Sequence, residues 1–132
     1  MFGFFLKKRN QDRQMALRTF SRASADLRRR DEATQIAVGQ GIQRVHRRFI
    51  QRFGSLEEYR KASLTEKQKY AAQLIAVQNR FVNTQQDAEA NGVMLFKWWL
   101  SVADDDELQP KLASELAFFS NKATSAGLSG DY

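Results

Sequence analysis

Arginine is the residue type whose number and spacing in this chain most clearly suggest a chemical role. Seven arginines form two groups. Arg28, Arg29 and Arg30 are consecutive, and Arg44, Arg48 and Arg52 follow one another at four-residue steps with Arg47 beside them. Planar guanidinium groups bind phosphate or carboxylate oxygens through paired hydrogen bonds, so this pattern favours an anionic partner. A solvated helix face shows the same pattern. No nucleic-acid-binding motif accompanies the arginines, and no aromatic residue is interleaved with them on the same helix face.

The opening stretch MFGFFLKKR combines large apolar side chains with cations. The predicted contact residues are Phe2, Phe4, Phe5, Leu6, Lys7, Lys8, Arg9 and the nearby Arg13. Aromatic rings are favoured at a lipid interface, and each cation near an anionic membrane adds about 1 kcal/mol. The same rings would also fill an apolar groove on this protein or on a partner. We therefore expect residues 1–9 to contact either a membrane surface or a protein.

A third candidate contact surface is the stretch VMLFKWWLSVA, residues 93–103, which is apolar on nearly all sides as a helix. Leu95, Phe96 and Trp99 continue a core stripe, whereas other large side chains point away from it. The predicted protein interface consists of Met94, Trp98 and Phe118, because tryptophan and methionine are favoured at interface centres. The alternative is that this stretch is the central helix of the fold.

The residues that catalysis or metal binding would need are scarce. The chain has no cysteine and one histidine, His46, and it contains no nucleophile, phosphate-loop or dinucleotide motif. Three consecutive aspartates at 104–106 have no calcium-loop spacing and suit a helix start instead. We therefore expect no catalytic residues, metal, cofactor or small-molecule substrate.

The charge distribution and hydropathy of the chain limit where in the cell the protein is expected. Residues 1–53 contain 13 basic and 4 acidic side chains, a formal charge of +9, whereas residues 54–132 contain 8 and 11, a charge of −3. No apolar run is long enough to span a bilayer, and the cations follow the first apolar residues, unlike a secretory signal. We expect an intracellular, reducing compartment, at the cytoplasmic or organelle-matrix side of a membrane, and no secretion.

Apolar residues at three- and four-residue steps predict an all-α fold. The longest pattern covers residues 10–53 and predicts one long basic helix that could extend from the body, with Gly39 and Gly41 as its weakest point. Serine caps predict further helix starts at Ser55 and near residues 63–65, Asn91–Gly92 predicts a break, and a final helix covers about 107–125. The expected architecture is a helical bundle or long helical hairpin of four to five helices.

These observations lead to a domain division and two functional hypotheses. Residues 1–9 form an aromatic and basic contact segment, 10–126 a single helical domain, and 127–132 a flexible tail. The first hypothesis is a non-catalytic interaction protein, an accessory or scaffold subunit of a larger membrane-associated assembly that contacts lipid headgroups or an acidic partner. The alternative is a structural component of an RNA- or DNA-containing particle that binds phosphates through its arginines.

Overall fold

Six α-helices make up the part of the chain that the structure describes. The structure is a computed structural model, and it describes the backbone of residues 2–127 and the side chains of residues 11–127. The helices are α1 (Phe2–Arg28), α2 (Glu32–Phe53), α3 (Leu56–Lys61), α4 (Leu64–Asn83), α5 (Asp87–Ser101) and α6 (Leu108–Ser125). Within these residues there is no strand, and the helices pack against one another as a bundle, which confirms the predicted all-α class. Apart from Gly127, the predicted tail lies outside the described residues.

The long helix predicted for residues 10–53 is wrong, because the chain turns between α1 and α2. The Asp31 side chain accepts a hydrogen bond from the backbone N–H of Thr34 (3.0 Å), which caps the start of α2. Gln35 Nε2 donates to the carbonyl oxygens of Arg28 (2.7 Å) and Arg30 (3.2 Å) at the end of α1. These bonds satisfy backbone groups that helix ends leave unpaired, and so they stabilise a break here.

The backbone of α2 lies in direct contact with the backbones of α5 and α6. A Cβ atom on Gly39 would lie 2.0 Å from the carbonyl oxygen of Phe119 on α6, and one on Gly41 would lie 2.3 Å from a carbonyl oxygen of α5. From the other side, a Cβ atom on Gly92 would lie 2.3 Å from the Val38 carbonyl oxygen. Only glycine permits this approach. The helices therefore continue through the glycines, which are contact points rather than the predicted bend and break.

The connection between α4 and α5 lies at Thr84–Gln86, earlier than the predicted break at Asn91–Gly92. Gln85 has a φ of 61°, in the left-handed region, and the Gln86 N–H donates to the Phe81 carbonyl oxygen (2.8 Å). Glycine usually occupies such a position after a helix. Because glutamine occupies it here, the sequence has no turn signal. The helix predicted to run from residues 63–65 to the break at Asn91–Gly92 is therefore wrong beyond residue 83.

An aromatic cluster around Phe49 fills the space between the second half of α2 and its neighbours. The Phe49 ring is fully buried, with its centroid 5.5 Å from Tyr59, 5.7 Å from Phe96 and 6.0 Å from Tyr70. Burial in this cluster raises the pKa of Tyr70 to about 12. Four α2 residues of the predicted apolar stripe are confirmed as buried, namely Val38, Ile42, Val45 and Phe49, and its last residue, Phe53, is half-buried.

Ion pairs of Arg13 and Arg28 attach α1 to the second half of the chain. Arg13 binds Asp105, in the loop between α5 and α6, and Arg28 Nη2 lies 2.9 Å from a carboxylate oxygen of Glu115 on α6. Asp105 Oδ1 also accepts the backbone N–H of Leu108 (2.9 Å), so it caps the start of α6, as the acidic run predicted. Burial opposes ionisation of Asp105, but these hydrogen bonds and the Arg13 charge outweigh it and lower the pKa of this carboxyl.

The glycine contact gives a first prediction. The substitution Gly39→Ala should destabilise the protein by about 1–3 kcal/mol or more, because the added methyl overpacks the contact with Phe119. This loss should appear even though alanine favours a helix by about 1 kcal/mol over glycine. Urea denaturation followed by far-UV circular dichroism measures the effect. Gln40→Ala is the matched control and should be close to neutral; equal stability of the two variants would contradict the contact.

The Asp105 contacts predict a dependence of stability on pH. Because the pKa of Asp105 is lower in the folded than in the unfolded chain, its contribution is complete above the unfolded pKa of about 3.9 and is lost as pH falls through the folded value. Asp105→Asn should therefore lower Tm at neutral pH, and its difference from the parent protein should shrink below about pH 4. Asp106→Asn, at a side chain that is 98% exposed, is the control. A pH-independent difference for Asp105→Asn would show that the carboxylate charge is not responsible.

Candidate anion-binding groove

A groove lies between the second half of α2 and the end of α4. Both helices pack against α5, and α4 packs mainly there, so a depression of about 620 Å³ remains between the two. Its α2 wall is formed by Arg44, Val45, Arg47, Arg48 and Gln51. Its α4 side is formed by Val77, Arg80, Phe81 and Thr84, with Gln86 at the end. We call this depression the basic groove.

The basic groove concentrates positive charge. Three of its arginines come from α2 and the fourth, Arg80, comes from α4, so cations stand on both sides. Within residues 11–127, no carboxylate lines the groove, and none lies within ion-pair distance of Arg48 or Arg80. Clustered charges of one sign in a concave site raise the local potential and attract ions of opposite sign. The groove therefore suits an anion with several oxygen atoms.

Phe81 adds an aromatic surface to this charged groove. Its side chain is half-buried, and the guanidinium carbon of Arg44 lies 5.6 Å from its ring centroid. The sequence alone did not predict a role for Arg80 or Phe81, because both are at least 28 residues from the arginines of α2 in the chain. No local spacing connects them, and only the placement of α4 beside α2 brings them together.

Arg52 belongs to the same predicted group of arginines but braces the end of the groove. Its Nη2 lies 3.3 Å from a carboxylate oxygen of Glu66 on α4, and its Nη1 donates to the side-chain oxygen of Gln73. Its guanidinium carbon lies 5.3 and 5.4 Å from the ring centroids of Phe53 and Tyr70. Arg52 thus joins α2 to α4 where the aromatic cluster begins.

The consecutive arginines Arg28–Arg30 lie elsewhere. They stand at the end of α1 and in the turn before α2, and Arg44 follows about 18 Å further along α2 at 1.5 Å per residue. Arg28 stacks on Phe118, with 3.7 Å from its guanidinium carbon to the ring centroid, in addition to its bonds with Glu115. Arg29 and Arg30 are exposed, and Arg29 lies 3.9 Å from Asp26. The seven predicted arginines therefore do not form one surface.

No protein family, curated protein or solved structure matches this chain. Its function is therefore inferred from the chemistry of its own residues.

The residues predicted as a protein interface do not lie together but pack near two different parts of α1. Met94 and Trp98 are half-buried against the core, and Trp98 lines a cleft with Met15, which is 58% exposed. Phe118 lies beneath Arg28, near the other end of α1. Each of these side chains has intramolecular contacts, and their use as an interface stays a prediction.

The predicted N-terminal contact residues lie mostly outside the described side chains. These are Phe2, Phe4, Phe5, Leu6, Lys7, Lys8 and Arg9; the backbone of α1 includes them, and their contact role stays a prediction. Arg13 is described, and it pairs with Asp105 and lies 3.4 Å from Glu107. Of the helices in the described region, none has the length and apolarity needed to cross a membrane.

The single histidine lies on a different side of α2 from the groove-lining arginines. The His46 ring stacks on Phe49 (centroids 6.3 Å apart) and meets Phe96 edge-on (6.1 Å). Burial beside these rings, rather than the neighbouring arginines, lowers the pKa of His46. In residues 11–127, no three histidine or acidic side chains come close enough together to hold a metal ion.

Proposed function

We propose that this protein is a non-catalytic interaction protein, an accessory subunit of a larger assembly, that binds a phosphate-bearing partner in the basic groove. The observation that supports this proposal is the convergence of Arg48 from α2 and Arg80 from α4 on one groove that no carboxylate of the described residues lines. Arg48 and Arg80 are both exposed, so they can reach a ligand without unfolding any part of the bundle.

The other arginines give a comparison within the same molecule. Arg28 and Arg52 each pair with a carboxylate from another helix, which is the arrangement of a structural brace. Arg48 and Arg80 have no such carboxylate among the described residues. Because guanidinium forks match phosphate oxygens, an external phosphate would complete their hydrogen bonding.

The groove favours the second of the two functional hypotheses from the sequence. A membrane presents its headgroups as a broad surface, whereas these arginines line the sides of a depression, where a narrow chain of phosphates makes more contacts. The acidic surface of a protein could supply carboxylates to the same groove and is an alternative outcome of the experiments below. The membrane contact of residues 1–9 is a separate hypothesis with its own test.

Removal of the two exposed groove arginines should weaken phosphate binding. We expect Arg48→Gln/Arg80→Gln to bind inorganic polyphosphate at least about ten-fold more weakly, because hydrogen bonds to charged groups contribute about 1.5–3 kcal/mol each. Isothermal titration calorimetry at several salt concentrations measures the affinity. Arg18→Gln/Arg22→Gln, at two exposed arginines of α1, changes net charge equally and is the matched control. Equal loss in both variants would indicate a general charge effect and would contradict a groove site, as would tighter binding of an acidic peptide than of polyphosphate.

The N-terminal membrane hypothesis predicts separate effects of rings and charges. Phe2→Ser/Phe4→Ser/Phe5→Ser should reduce co-sedimentation with vesicles of any headgroup charge, because it removes the apolar contact. Lys7→Gln/Lys8→Gln/Arg9→Gln should reduce it only with vesicles that contain phosphatidylserine, because each cation contributes about 1 kcal/mol there. Unchanged binding by both variants, or no binding by the full chain, would exclude a membrane role for residues 1–9.

A further inference from the structure

We propose that the partner in the basic groove is a single strand of nucleic acid, with a base stacked on Phe81 and its phosphates bound by Arg48 and Arg80. This inference rests on the proposed function, because it names the partner of the same groove. Proteins that bind single strands combine a positively charged groove for the backbone with an aromatic side chain for the bases. The basic groove has both parts in one depression.

The Phe81 ring differs from that of Phe118, another half-buried phenylalanine near an arginine, in how closely the arginine approaches it. The guanidinium carbon of Arg28 lies 3.7 Å from the Phe118 centroid, within the contact range of about 3.5–4.0 Å, so that face is covered. The Arg44 carbon lies 5.6 Å from the Phe81 centroid, beyond that range. A base that stacks on Phe81 therefore displaces less contact than one on Phe118.

The dimensions of the groove suit a short stretch of one strand. From Arg44 to Gln51, the α2 wall is about 10 Å long at 1.5 Å per residue. At the 3.4 Å rise of a stacked strand, this length accommodates about three nucleotides. Arg48 lies on this wall and Arg80 lines the groove from α4, so a backbone that follows α2 has a cation on each side.

A duplex is a less suitable occupant. Proteins that bind duplexes insert a protruding helix or strand into a groove of the nucleic acid, or grip its outside over a larger surface. Here the arginines and Phe81 line a depression in the protein, and the bases of a duplex, paired and stacked inside it, cannot reach the Phe81 ring. The geometry thus favours unpaired bases.

The test compares strands that differ only in their bases. Fluorescence anisotropy on the full chain would measure binding of labelled oligouridylate, oligothymidylate, an abasic strand of equal length and phosphate number, and a duplex. We expect a base-bearing strand to bind about five-fold or more tightly than the abasic strand, because a stacked base adds to the phosphate contacts. The two base-bearing strands distinguish RNA from DNA as the preferred source.

Two variants assign the effect to the groove. Phe81→Leu should remove most of the preference for bases and leave binding of the abasic strand unchanged, whereas Phe118→Leu, the matched control, should keep the preference. Arg48→Gln/Arg80→Gln should weaken both strands and reduce the slope of log K against log salt by about 1.4, since each phosphate contact to a single strand contributes about 0.7. Circular dichroism would confirm that each variant is folded.

The outcomes separate this inference from the proposed function. Equal binding of base-bearing and abasic strands by the parent protein would overturn the stacking inference and leave phosphate binding in place. Tighter binding of the duplex, or binding of phosphatidylserine vesicles without any binding of strands, would also overturn it in favour of another partner. Failure to bind any strand, polyphosphate or vesicle would overturn both proposals.

Discussion

The contact between the backbones of α2, α5 and α6 is the constraint on which the rest of the structure depends. At Gly39, Gly41 and Gly92 there is no room for even one methyl group between neighbouring helices. Two helices whose axes cross are closest at the crossing point and lie further apart along the rest of their length. The large rings around Phe49 fill the wider space between α2 and α5. Small residues at one level and large ones at the next are thus two parts of one packing arrangement.

The basic groove is a product of the same arrangement. Because α5 is in contact with α2 on one flank and α4 on another, α2 and α4 meet directly only where side chains bridge them, as Arg52 does with Glu66. Beyond that bridge the two helices leave a depression with a floor of valine and phenylalanine. Arginine side chains are long and apolar up to the guanidinium, so they can line such a floor and keep their charge in solvent.

The sequence predicted the helical class and the helix starts that have side-chain caps, since Ser55 and Ser63 accept hydrogen bonds from the N–H groups of Glu58 and Glu66 as expected. It failed where a break depends on tertiary structure or on an unusual residue, as at Gln85. The glycines were misinterpreted because low helix propensity and the need for close approach favour the same residue. The groove could not be predicted, since Arg80 joins the α2 arginines only through the packing of α4.

The ion pairs of α1 and α2 have a consequence for the electrostatic field of the whole molecule. The first 53 residues have a formal charge of +9 and the remainder −3, yet Arg13, Arg28 and Arg52 are each bound to a carboxylate from the second part of the chain. Folding therefore offsets part of the contrast along the sequence, while the arginines of the basic groove keep positive charge together at one place on the surface. An uneven field of this kind turns a molecule during diffusion, so a polyanion would meet its more basic side more often than chance alone allows. The arrangement of charge thus affects how fast a partner arrives as well as how tightly it is held.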